Sequence, residues 1–170
     1  MRHVRMVHAG AAALAVLLLA SPGQAQAQRA AEASTGPFGH LSGAWTGSGV
    51  IKMSNGANER IRCRVKYVVQ NGGNALQQEL RCASDSYRFE LTSNVVQNGD
   101  SSITGTWSEA TRNLGGSLSG RISSGSIQAR AESPTFTALL AVNTRGDRQS
   151  VSIQSPGSEV SEVSISLSRR

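Results

Sequence analysis

Runs of residues that alternate apolar and polar side chains, broken at short intervals by turn-forming residues, constrain this chain more than any other feature. Arg60-Ile61-Arg62-Cys63-Arg64-Val65-Lys66-Tyr67 is the clearest, with cations on one face and apolar groups on the other. A period of two is the signature of a half-buried β-strand. Tyr87, Phe89 and Leu91 repeat it, as do Ile103, Gly105 and Trp107, then Ile127, Ala129 and Ala131. Val151 with Ile153, and Val163, Ile165 and Leu167, complete the pattern. Only Phe136 to Val142 is apolar on both faces, which predicts a more deeply buried strand.

Turn signals separate the runs, among them Asn55-Gly56, Asn71-Gly72, Asp85-Ser86, Asn98-Gly99, Ser124-Gly125, Gly146-Asp147 and Pro156-Gly157. No stretch after residue 35 sustains a helical period, which argues against a parallel sheet with crossover helices. Charged residues make up only 16% of the chain, which argues against a coiled coil or a charged disordered tail. At 170 residues the chain suits one domain. The expected fold is all-β: a single antiparallel up-and-down β-barrel of about 8–10 strands over residues 38–170, because closure removes exposed edges. A two-sheet β-sandwich is the alternative.

Residues 1–27 read as a secretory signal peptide. Arg2 and Arg5 give a positive start, an uncharged Ala/Leu/Val run follows, and Ala25-Gln26-Ala27 forms a cleavage site. That run is too short to span a membrane, so no transmembrane span is expected in the mature protein. Cleavage removes two arginines and no acid, taking the net charge from +6 to +4. Residues 28–37 read as a disordered lead. The implied location is periplasmic or secreted, where the two cysteines are expected to pair. A hairpin centred on Gly72-Gly73 pairs residues whose numbers sum to 145, as those of Cys63 and Cys82 do. The same register sets Val65 against Leu80 and Val69 against Leu76, so both apolar faces agree.

With Trp45 facing inward, Gly43, Gly47 and Gly49 face inward too, and Gly105 shares the face of Trp107. Inward glycines allow strong coiling, accommodate the tryptophans from the opposite wall, or leave a cavity. On the last reading, Gly47, Gly49, Gly105 and Trp107 would border a ligand cavity.

Leu41-Ser42-Gly43-Ala44-Trp45 resembles the G-x-W motif that opens the first strand of lipocalins and their calycin relatives. That resemblance implies a barrel whose base is closed by Trp45, with a basic residue of the last strand packed across it. Arg169, on the parity of Ile165 and Leu167, is the counterpart here. The start and the single disulfide are also similar to those of small periplasmic metalloprotease inhibitors, which share the barrel. The chain as a whole resembles exported proteins of alphaproteobacterial type.

No constellation for catalysis stands out. His40 is the only histidine beyond the signal peptide and reads as an exposed side chain ahead of the first strand. The acids fall mostly in turns or on outward positions, and no spacing forces two together. No catalytic residues, metal ligands or cofactor are expected, nor is an enzyme. Arg60, Arg62, Arg64 and Lys66 form a basic face, with Arg81 beside Arg64 and with Glu90 and Glu79 placed to neutralise it in part. Export, and the lack of aromatics among these cations, disfavour nucleic acid. The expected function is that of a non-catalytic binding protein holding a small apolar ligand in the barrel. The alternative is an envelope protein–protein module, inhibitor-like or acting through the basic face on a protein or polyanion.

Overall fold

A computed structural model describes residues 36–170. The expected signal peptide lies outside the described residues, as does the lead up to residue 35. Gly36 and Pro37, the end of that lead, are part of the folded unit: Gly36 donates its N–H to the Gly72 carbonyl at 2.9 Å, and Phe38 follows with a bond to Gly73 at 3.0 Å.

Ten strands follow in order: β1 Gly43–Met53, β2 Asn58–Gln70, β3 Ala75–Ala83, β4 Arg88–Gln97, β5 Ser102–Glu109, β6 Leu114–Ser123, β7 Ser126–Glu132, β8 Thr137–Arg145, β9 Arg148–Gln154 and β10 Val160–Arg169. Each pairs antiparallel with its sequence neighbours, and β1 pairs with β10, so the sheet closes on itself as an up-and-down barrel. The two-sheet alternative is thereby excluded. With every strand paired on both sides, the barrel has no open edge to protect.

The β2–β3 ladder runs Cys63↔Cys82, Val65↔Leu80 and Val69↔Leu76, the register set by the Gly72-Gly73 turn. Cys63 and Cys82 form a disulfide with Cα atoms 4.1 Å apart. Alternation holds along β2, where Ile61, Cys63, Val65 and Tyr67 are buried and the cations between them exposed. It also holds where the sequence suggested otherwise. Leu139 in β8 points outward and is 46% exposed, so that strand is no more deeply buried than its neighbours. The pleat sets which face a side chain takes, whatever its polarity.

The barrel's two ends differ. At one end, the 3-10 turn Gly39–Leu41 folds beneath the strands, with Phe38, Leu41 and Trp45 almost fully buried. Burying each of these side chains stabilises the fold by roughly 1.5–3 kcal/mol. At the other end only five hairpin turns, 54–57, 84–87, 110–113, 133–136 and 155–159, surround the opening.

Candidate functional site

The closed end is built around Trp45. Its indole N–H donates to the Leu41 carbonyl at 2.8 Å, which ties the plug to β1. Arg169 stands opposite Trp45 in the β1–β10 ladder, and its guanidinium carbon lies 4.4 Å over the indole ring. The same guanidinium donates to the Ser42 and His40 carbonyls and, at 2.9 Å, to Asp147. Gly43 has φ +117°, a conformation that L side chains rarely adopt, and it lets the chain turn from the plug into β1 beside Arg169. His40 is half-buried rather than exposed, with its Nε2 buried and without a hydrogen-bond partner among the described residues. Burial lowers its pKa from the ordinary value and nearby Arg169 adds to that, against a hydrogen bond at Pro37.

Above this floor the barrel encloses a cavity of about 390 Å³ that reaches the open end. Leu80, Leu91, Leu118, Leu140, Val151 and Val163 contribute to its wall, together with the inner edge of the disulfide at Cys82. Most of these wall residues are only partly buried although they face inward, which is the mark of a space not filled by side chains. Trp107 lines it too, tilted against Phe136 at 5.8 Å with its indole N–H bonded to the Ser117 carbonyl.

Gly47, Gly49 and Gly105 do not line the cavity. A Cβ at Gly47 would sit 1.8 Å from the Ser166 carbonyl, at Gly49 2.2 Å from that of Ser164, and at Gly105 2.2 Å from that of Asn94. Here coiling brings the adjoining strand's backbone into the space a side chain would need. The glycines bend the wall; the space inside is left by the size of the ring and by modest side chains around it.

Polar groups inside the cavity are few and mostly engaged. Tyr67 donates to Gln149 at 2.9 Å, and Gln149 in turn donates to Thr144 at 2.9 Å. Burial raises the Tyr67 phenol far above its ordinary pKa, so it stays protonated. Ser93 donates to Gln78 at 3.3 Å. Nearer the mouth, Glu109 is buried and accepts backbone N–H bonds from Glu90, Thr111 and Arg112 at 2.8–3.0 Å. Burial raises its pKa, but the hydrogen bonds from Thr111, Glu90 and Arg112 outweigh that and hold it below the ordinary value. Arg112 stacks over Phe89 at 4.7 Å, and Phe89 lies nearly parallel to Tyr87.

Sequence reasoning missed this rim. The parity of Ile103 and Trp107 does place Glu109 inward, so that signal was available. Arg112 and Phe136 lie in turns, where the pleat gives no direction.

Compared by sequence, the chain matches no family model and no curated protein. Compared by structure, it is similar to Rv2717c from M. tuberculosis, with a TM-score of 0.62 and 14% identity over 77% of this chain and 93% of that one. It is also similar to the S-type phycobiliprotein lyase CPES from Guillardia theta, with a TM-score of 0.56 and 8% identity over 78% of this chain and 90% of that one. At such low identity these likenesses speak to the barrel alone.

The basic face lies outside the barrel, apart from the cavity. Arg60, Arg62, Arg64 and Lys66 are exposed along β2, and Arg81 is exposed on β3 directly opposite Arg64. Arg81 stands opposite Glu90 and Lys66 opposite Glu79, as the register requires. Neither pair closes to a salt bridge; the three ion pairs among the described residues all lie elsewhere. The expected partial neutralisation is therefore limited to proximity.

Proposed function

We infer that this is an exported, non-catalytic binding protein that holds a small apolar ligand inside the barrel. The observation that carries this reading is the continuous apolar cavity, floored by a packed plug and open at one end. Binding sites for small molecules are typically concave, mostly apolar and largely preformed, with few polar groups. Export rests on the reading of residues 1–27 as a signal peptide, and the disulfide supports it. The non-catalytic reading is supported by the state of the buried polar groups. Tyr67 is held protonated and Glu109 ionised, each engaged by neighbours rather than poised to exchange a proton with a guest.

The test is titration of the mature protein with a neutral apolar fluorophore such as N-phenyl-1-naphthylamine. Saturable binding at one site is expected, and Leu140→Trp, which projects bulk into the cavity, should weaken it at least tenfold. The variant's melting curve shows whether it is folded. Absence of saturable binding, or binding unchanged in a folded Leu140→Trp protein, overturns the reading.

A further inference from the structure

The exterior of the barrel is unevenly charged. Along the middle of β10 and β9 the outward positions are the serines Ser164, Ser166, Ser168, Ser150 and Ser152, with one acid, Glu162, and one cation, Arg148, at the ends. Two strands away, β2 carries Arg60, Arg62, Arg64 and Lys66 in one unbroken outward row. Alternate residues of a strand are about 6.7 Å apart, so the row runs for roughly 20 Å. Arg81 and Arg88 add two cations on β3 and β4.

Two features set this row apart from an ordinary solvated face. Arg64 and Arg81 are directly opposed across the β2–β3 ladder, an arrangement of like charges that costs stability in a sheet. None of these six cations has an ion pair among the described residues, although Glu79 and Glu90 lie in adjoining register positions. A local cost without an internal compensation is expected where a surface serves a partner.

We propose that the β2 row is a binding site for an extended acidic polysaccharide, whose repeated anionic groups lie along Arg60, Arg62, Arg64 and Lys66 with Arg81 and Arg88 beside them. The geometry favours a linear chain over a membrane. Barrel strands tilt about 35–45° from the barrel axis, so a row along one strand winds around a convex wall. A plane touches such a wall along a line parallel to the axis and meets only part of the row, whereas a flexible chain follows it throughout. Nucleic acid is a poorer match, because the aromatics of these strands, Tyr67 and Phe89, lie on the inward face and none is interleaved with the cations for base stacking. The site is separate from the cavity and does not depend on the ligand reading.

The test is binding of the mature protein to fluorescently labelled dextran sulfate across a salt series. Binding should weaken steeply as salt rises, because multiple charge contacts release counterions. Arg62→Gln/Arg64→Gln should weaken it about tenfold or more at low salt. Arg145→Gln/Arg148→Gln, which removes the same charge from the β8–β9 hairpin, should change it less than about twofold. Arg64→Gln alone should melt no lower than wild type, since it relieves the opposition with Arg81. No binding by wild type, equal losses from the two double variants, or tighter binding to phosphatidylglycerol vesicles than to dextran sulfate would each overturn the proposal.

Discussion

Arg169 joins the end of the chain to two distant places: the plug and the start of β1, through His40, Ser42 and the indole of Trp45, and the β8–β9 turn through Asp147. Removing its side chain forfeits a cation–π contact of ~0.5–2 kcal/mol and charge-assisted hydrogen bonds to the His40 and Ser42 carbonyls and to Asp147. Arg169→Ala should therefore cost about 2–3 kcal/mol in urea unfolding. Arg170→Ala should stay within about 0.5 kcal/mol, because its main contribution is a backbone N–H given to Ala44. Equal small effects would mean that the plug is held by apolar packing alone. His40 supplies a second residue-scale prediction. Its folded pKa is depressed, chiefly by burial, so the unfolded chain takes up a proton more readily than the folded one. The corresponding stability is complete above the unfolded value near ~6.5 and declines as pH falls through that value toward the folded pKa. The melting temperature should drop between pH 7 and pH 5, and His40→Gln should flatten that drop. Depressed carboxylates such as Glu109 act in the same direction but only below ~4.5, outside this window. Arg169 was legible from parity and from the resemblance at Gly43-Ala44-Trp45. The burial of His40 was not, because it depends on a plug whose path no periodic pattern records.

At the level of elements, the β2–β3 hairpin carries the disulfide. Both sulfurs face inward and both residues are almost fully buried. Closing a loop of this length stabilises the fold by about 3 kcal/mol on chain-entropy grounds. Cys63→Ser should lower the melting temperature by several degrees or more, and wild type should behave the same way after reduction in denaturant. An unchanged melting temperature in the variant would contradict the assignment of this pair as a principal staple. The hairpin was legible because two independent signals, the Gly72-Gly73 turn and the parity of Val65, Val69, Leu76 and Leu80, demand one register. The glycines of β1 and β5 show where such reading stops. Parity gives the direction of a missing side chain, but the approach of the Ser166 and Asn94 carbonyls comes from coiling between strands, a three-dimensional property. Leu139 makes the related point for β8: an apolar residue in an outward phase stays outward, so runs of apolar residues overstate burial.

For the whole molecule, the number of turns and the absence of helical periods pointed to an antiparallel barrel with a two-sheet sandwich as the alternative, and the resemblance at Gly43-Ala44-Trp45 implied that Trp45 closes one end. Whether the ring is filled or hollow was not legible, since it turns on summed side-chain volumes inside ten strands rather than on any single position. The cavity near Leu91, Leu118 and Leu140 is the answer the structure supplies, and the ligand-binding account rests on it. Methyl-resolved NMR of the mature protein with N-phenyl-1-naphthylamine tests that account most directly, because inner and outer methyls are both present. The account predicts saturable shifts at Leu80, Leu91, Leu118, Leu140, Val151 and Val163, with Val50, Val96 and Leu139 on the outer wall unmoved. Shifts confined to the outer methyls, or none at all, would contradict it.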